Sequence, residues 1–291
     1  MAMRNEMIDQ ATELRKHVER LHTSGPSEGS SRCQVIAITS GKGGVGKTYV
    51  VVNLAIALQR AGKRVAILDG DFGLANVDVQ LGLTPEYHLG HVIEGLQTLK
   101  SIIVPGPEGI HIIPASSGIQ ELATMGEQRR QTILSQLNEL MQDYDFILID
   151  TAAGISDNVI RMLNVSRRVV VVCAPEPTAI VDAYALIKVL MRRDKGKEIL
   201  LLVNSVQGAL EAEEVHKQLS QVVDRFLGCN LGYLGSIPRD TRVTESVRRQ
   251  EPVLISYPKA MVSRSILKIA ETLLKRPPVV NELSRLLEYA G

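Results

Sequence analysis

Gly41-Lys42-Gly43-Gly44-Val45-Gly46-Lys47-Thr48 is the stretch on which the reading of this chain turns. It satisfies the spacing G-x-x-x-x-G-K-[ST], with the apolar run Val35–Ala37–Ile38 before it and a helical pattern from Lys47 to Ala61 after it. Glycines let backbone N–H groups converge on phosphate oxygens with no Cβ in the way. The start of the following helix adds the positive end of its dipole. Lys47 is then placed to reach the terminal phosphates, and the Thr48 hydroxyl to ligate Mg²⁺. A rival reading uses the same glycines. Gly41, Gly43 and Gly46 also spell G-x-G-x-x-G, and Asp69 ends the next strand, where a dinucleotide fold holds its ribose-binding acid. That motif alone is weak. Lys47 and Thr48 have no task in a dinucleotide site and a defined one around phosphates, so the phosphate-cradle reading is preferred.

Working outward, short apolar runs read as strands at Arg64 to Leu68, Gly109 to Pro114, Phe146 to Ile149, Arg168 to Cys173, Ile199 to Val203 and Leu231 to Ile237. Helical patterns lie between them at Glu127 to Met141, Thr178 to Arg193 and Glu211 to Phe226. The alternation predicts an α/β fold of three layers, a P-loop NTPase with a twisted, mostly parallel sheet and helices on both faces. Such a cradle needs a carboxylate at the end of another strand to hold Mg²⁺. Asp150, closing FILID, stands at that place, and Asp69 and Asp71 close LDGD. Asp78 is read instead as a stabiliser of its own loop.

The chain has 291 residues, 45% of them hydrophobic, enough for one large domain with a full core. Lys plus Arg number 33 against 32 Asp plus Glu, so nothing in the bulk charge calls for a nucleic-acid partner. Cys33, Cys173 and Cys229 are scattered without a CxxC pair, which argues against a metal or disulfide framework. The charged first residues do not form a secretory signal, and no stretch approaches the ~18 apolar residues of a spanning helix. A cytoplasmic protein is expected, with peripheral attachment to the inner face of the membrane left open.

The termini differ from the middle. Met7, Ala11, Leu14, Val18 and Leu21 make one helical stripe within residues 1–22, and residues 23–32 have linker composition. The ATPase domain is then expected at 33–276. Pro277 and Pro278 break the chain before a last segment, 277–291, in which Val279, Val280, Leu283, Leu286 and Leu287 can share a face. Its polar face carries Glu282, Arg285 and Glu288 and it lacks Trp or Phe, whereas an interfacial helix favours basic residues and bulky anchors. Weak membrane binding and packing back onto the domain both remain open.

Lys42, the extra lysine inside the cradle, makes the stretch resemble the deviant Walker A ATPases of the MinD/ParA family. The likeness extends through LDGDFGLANVDVQLGL, IDTAAGISD, EPTAIVDAYALIKVL and GSIPRDTRV, from roughly Val35 to Arg276. Within that family the chain is most similar to the MinD-like regulators of flagellar number and placement. Asp9, Gln10 and Ala11 followed by Leu14 and Arg15 resemble the subgroup's DQAxxLR motif, which stimulates a FlhF-like GTPase. The resemblance implies ATP and Mg²⁺ as cofactors and a slow hydrolysis that dimerisation stimulates. Lys42 would reach the phosphates of a second copy in an ATP-sandwiched homodimer, and Asp71 would position the attacking water. Asp69 and Asp150 would support Mg²⁺ through water. Gly41, Gly43, Gly44, Val45, Gly46, Lys47, Thr48 and Tyr49 would line the phosphates, and Asn76 would sit in the first switch. Asn204 would read the adenine edge with Pro238, Arg239 and Asp240, Pro238 packing on the base. Implied partners are a second copy, a FlhF-like GTPase, flagellar C-ring components and a flagellar transcription regulator. A ParA-type DNA or cargo-positioning ATPase is the alternative, although the near-neutral charge disfavours direct DNA binding. One departure is Ala152 after Thr151, where the family usually has proline or glycine.

Overall fold

The computed structural model describes residues 33–71, 76–114 and 127–279. The chain divides into Met1–Arg32 and Cys33–Gly291. The expected helix over residues 1–22, the linker and the partner-binding residues Asp9, Gln10, Ala11, Leu14 and Arg15 lie outside the described residues, as does the last segment beyond Val279.

The second unit is built on eight strands: β1 (Gln34–Thr39), β2 (Val65–Gly70), β3 (Val104–Pro105), β4 (His111–Ile113), β5 (Phe146–Thr151), β6 (Arg168–Cys173), β7 (Glu198–Val206) and β8 (Gly232–Pro238). They form one sheet in the order β3-β4-β2-β5-β1-β6-β7-β8. Every neighbouring pair is parallel except β3 with β4, an antiparallel edge. The central strands read as unbroken apolar runs because both faces are covered, and β1, β2, β5 and β6 are buried along their whole length.

The helices among the described residues are α1 (Lys47–Arg60), α2 (Val77–Leu81), α3 (Leu89–Glu94), α4 (Glu127–Asp143), α5 (Asp157–Asn164), α6 (Pro177–Arg193), α7 (Ala209–Leu227), α8 (Thr241–Arg248), α9 (Val253–Ser256) and α10 (Met261–Leu274). α5, α6 and α7 pack on one another and on β1 and β5 to β8; α1, α9 and α10 form a second group against β1, β2, β5 and β8. Right-handed crossovers put these groups on opposite faces, because the chain leaves β1 toward β2 and leaves β5 in the other direction toward β6. The crevice at that reversal, outside the carboxyl ends of β1 and β5, is where an open α/β sheet takes its ligand.

The three-layer expectation holds in detail, with a few differences. The expected strand over Gly109 to Pro114 shortens to His111–Ile113, because Pro107–Gly109 is a tight 3₁₀ turn with Gly109 at φ 83°. β3 is too short to leave a period in the sequence. α2, α3, α5, α8, α9 and α10 are not expected from the sequence. α8 and α9 are a turn or two each, set off by Asp240 and Pro252 at their starts.

Candidate functional site

β1 runs straight into the glycine-rich turn, and α1 begins at Lys47 with Gly46 as its cap in the left-handed region, φ 89°. No side chain caps this helix, so its first N–H groups are free to face an anion. Two glycines here answer to a close approach. A Cβ on Gly41 would lie 2.2 Å from the backbone carbon of Asp182 in α6. A Cβ on Gly46 would lie 2.6 Å from Asn204 Nδ2, which donates to Val45 O at 2.7 Å. The cradle is therefore held from outside by α6 and by the end of β7. A Cβ on Gly43 or Gly44 would meet nothing within 4 Å, so the mouth of the loop is open.

Behind the cradle, the register pairs Asp69 directly with Asp150 across β2 and β5. Asp150 is 1% exposed, and its carboxylate meets the Thr48 hydroxyl but no donor at close hydrogen-bonding geometry. Burial pushes its pKa up to about 7; the Thr48 hydroxyl and Lys47 pull it down, and the Asp69 and Asp71 carboxylates push it further up. Burial lowers the Lys47 ammonium, with Asp150 and then Asp71 acting the other way. Lys47, Thr48, Asp71 and Asp150 thus share one electrostatic neighbourhood. A buried carboxylate with no close donor, beside a threonine hydroxyl and the start of a helix, is the donor set a hard cation takes. The chain's residues therefore fit Mg²⁺, with Thr48 and Asp150 as the groups that would hold it.

Asp69 is used differently. Its Oδ1 accepts from Asp71 N at 3.2 Å, and its Oδ2 accepts from Asn76 N at 3.1 Å and Val77 N at 3.2 Å. Burial raises it to about 6 in spite of these amides. Its oxygens shape the segment that carries Asp71 and Asn76, and the Asn76 amide reaches Asp71 Oδ2 at 3.4 Å. This structural work is not legible in the motif. Asp78 accepts from the N–H of its own neighbour Val79 at 2.7 Å, a local contact as expected, but in the first turn of α2 and not in a loop.

On the other side, Asn204 follows the buried run of β7, and a register shift between Asn204 and Val206 leaves Ser205 at φ 64°. The bulge aims the Asn204 amide into the cradle. Its partner strand ends at Pro238; Arg239 N bonds Val206 O at 2.8 Å, and Asp240 caps α8 through Arg242 N at 2.9 Å. These residues form one rim with Tyr49, which is 5% exposed and whose phenol is raised by burial and then by Asp240.

Lys42 does not bend into its own cradle. Its Nζ donates to Glu176 Oε2 at 2.9 Å and Thr178 Oγ1 at 3.1 Å, at the start of α6. Sequence reasoning does not single out Glu176 or Thr178, although both lie in EPTAIVDAYALIKVL. The segment from Thr151 to Gly154 stays close to the cradle despite Ala152: Thr151 Oγ1 donates to Ile38 O at 3.1 Å, and Gly154 N to Ser40 O at 2.9 Å. Ile155, next to Gly154, and Val181, on α6, stand exposed.

A model of the family described as "ParA: NUBPL iron-transfer P-loop NTPase" matches residues 32–274. The antiactivator FleN of Pseudomonas aeruginosa is 42% identical over 238 residues, 82% of this chain and 85% of that one. The flagellum site-determining protein YlxH of Helicobacter pylori is 32% identical over 272 residues, 93% of this chain and 92% of that one. Among solved structures, the septum site-determining protein MinD of Pyrococcus horikoshii, complexed with Mg-ADP, is 25% identical with a TM-score of 0.68, covering 84% of this chain and 96% of that one. The iron-transfer part of the family description has no echo in the cysteines: Cys33 and Cys173 are buried and no two of the three are neighbours in sequence.

Proposed function

The chain belongs to the ParA/MinD family of P-loop ATPases, and from that premise we propose that it is an ATP-dependent dimerisation switch that regulates flagellar number and placement. The likeness to FleN and YlxH supports the flagellar setting. The observation that carries the switch is the direction of Lys42, which lies in the cradle yet rests on Glu176 and Thr178. An ammonium parked on its neighbour's rim is poised to exchange that exposed ion pair for the phosphates of a facing copy. The exchange is cheap, since the pair is half in water. The exposed Ile155 and Val181 would be candidates for the surface that such an approach covers.

In this reading Gly41 to Thr48 bind the phosphates, with Tyr49, Asn204, Pro238, Arg239 and Asp240 around the nucleoside. Mg²⁺ would supply charge neutralisation for the bound phosphates. Thr48 and Asp150 would hold it, while Asp69 keeps Asp71 and Asn76 in register. Asp71 orients the attacking water, and hydrolysis returns the monomer. α6 begins at the Lys42 contact and is backed by Gly41, so it is the element whose surface would report the nucleotide state to partners. Those are a FlhF-like GTPase, docked through Asp9 to Arg15, flagellar C-ring components and a flagellar transcription regulator. Among the described residues no helix is long and apolar enough to cross a membrane; membrane attachment would fall to residues 277–291 and would gain from the pairing of two weak helices.

The test is size-exclusion chromatography of Asp71→Ala with ATP and with ADP. The expected result is an ATP-dependent dimer that does not decay, and a monomer throughout for the double variant that adds Lys42→Ala. A nucleotide-insensitive monomer for Asp71→Ala, or turnover faster than wild type, overturns the reading.

A further inference from the structure

α8 ends where a glycine is usually found. Gln250 N donates to Val247 O at 3.1 Å and Glu251 N to Ser246 O at 3.0 Å, which closes the helix with residue 250 in the left-handed region at φ 55°. A side chain in that conformation costs about 1 kcal/mol that glycine avoids. The side chain that stands there has a destination. Its Nε2 donates to Val79 O, on α2, at 2.6 Å. It also lies over Gly82, itself left-handed at φ 63°, where a Cβ would come within 3.3 Å of Gln250 Oε1.

α2 has only five residues, far too few to persist unaided. Its position is set by what holds its ends. At the front, Asp69 Oδ2 takes the amides of Asn76 and Val77, and the Asn76 side chain touches Asp71. At the back, the carbonyl of Val79 has only a long bond of 3.3 Å from Gly82 N besides the Gln250 amide. The helix that brings Gln250 there starts at the Asp240 cap, on the rim beside Asn204.

We propose that Gln250 is a positioning residue for hydrolysis: its amide holds α2 from behind, so that Asn76 and through it Asp71 keep their place over the phosphates. The same side chain ties this segment to the helix rooted at Asp240, so occupation of the nucleoside rim and placement of Asp71 are mechanically linked. The inference rests on the reading of Asp71 given above. It explains why a residue other than glycine ends α8.

The variant Gln250→Gly removes the tether and the backbone strain together, so stability and turnover should part company. The expected result is a melting temperature equal to or slightly above wild type, an ATP dissociation constant within about twofold, and a turnover number lowered about three- to tenfold. Gln250→Asn tolerates the left-handed backbone but falls short of Val79 O, and Gln250→Glu has the length but no donor at neutral pH; both should follow the glycine variant in turnover. Wild-type turnover in Gln250→Gly, or a loss that only tracks a lower melting temperature across the three variants, overturns the proposal. Asp71→Ala is measured beside them. If it turns over like wild type, the reading of Asp71 fails; if it is inactive while the Gln250 variants are normal, the tether alone fails.

Discussion

The two ends of the sheet treat buried charge in opposite ways. At the carboxyl edge, Asp69 and Asp150 face each other across β2 and β5, and neither Asp150 oxygen has a close donor in full hydrogen-bonding geometry. At the amino edge, Arg168, 1% exposed, donates from Nε to Glu198 Oε2 at 2.7 Å and from a terminal nitrogen to Pro277 O at 2.7 Å. Arg276 takes the other oxygen of Glu198, also at 2.7 Å. Gln34 and Val279 exchange two hydrogen bonds beside them, Val279 N to Oε1 at 2.9 Å and Nε2 to Val279 O at 3.2 Å. One edge sets its carboxylate between two guanidiniums, with Arg276 Nε left without a partner, and ties the chain's last described residues to the first strand. The other is left open. A buried carboxylate whose desolvation Thr48 and Lys47 only partly offset is unfavourable until a further cation arrives, so the open edge marks where the ligand belongs.

The closed edge should therefore carry stability and the open edge function. The largest test of that contrast is Glu198→Ala, which leaves the Arg168 guanidinium buried without a carboxylate. Removing one partner of a buried pair destabilises by about 3–5 kcal/mol, and the partial exposure of Glu198 lowers the expectation to about 2–4 kcal/mol. Denaturant unfolding of the nucleotide-free protein reads it. The ATP dissociation constant, measured where the variant is still folded, should stay within about twofold. A tenfold weaker affinity in folded protein would mean that the edges are not separate.

Much of this contrast is legible in the sequence, but only at one end. The cradle is a local motif: strand, glycines, lysine and helix lie within some twenty residues, so spacing alone fixes them. Asp150 and Asp69 are recognisable because each closes an apolar run, and a parallel sheet brings such ends together. The amino edge leaves no trace. Arg168, Glu198 and Arg276 are ordinary charged residues at the starts of strands and after a helix, and only the strand order joins them. The same holds for Gln250 and Val79, 171 positions apart. Helices α8 and α9 escape because each is one or two turns long, too short for a period to show. Lys42 stands out by resemblance, while its partners Glu176 and Thr178 need the fold.

A middle-sized effect comes from pH at the open edge. The Asp150 and Asp69 carboxyls have folded pKa values near 7 and 6, above the 3.8 of an unperturbed aspartate. For a raised carboxyl the stabilising contribution is complete below the unfolded value and is lost as pH climbs through the folded one. The nucleotide-free protein should accordingly lose several degrees of melting temperature between pH 5 and pH 8. Asp150→Asn, which stays neutral, should flatten much of that fall, and saturating Mg-nucleotide should offset it in wild type. A profile that is flat for the wild-type protein, or unchanged by Asp150→Asn, would remove the open-edge argument. Glu198→Ala should shift the whole profile downward without altering its shape.

The smallest effect tests whether the closed edge also governs where the chain departs from the domain. Gln34 opens β1 and is 8% exposed, and its amide gives and takes one bond with the backbone of Val279. Gln34→Ala deletes both bonds and leaves the Val279 N–H and C=O to find water, which they can do because Val279 itself is half-buried. The loss should be about 1 kcal/mol, since each backbone group is re-solvated rather than stranded. Arg168 still grips Pro277 O two residues earlier, so the defect should stop there. Amide exchange at Val279 should accelerate about tenfold, whereas the amides of Ile36 and Arg168 on the same edge keep their wild-type rates. Exchange that spreads along β1 would show that Gln34 holds the strand itself. No change at Val279 would show that the Arg168–Pro277 contact suffices to seal this edge, and the division between a closed and an open end would then rest on the arginines alone.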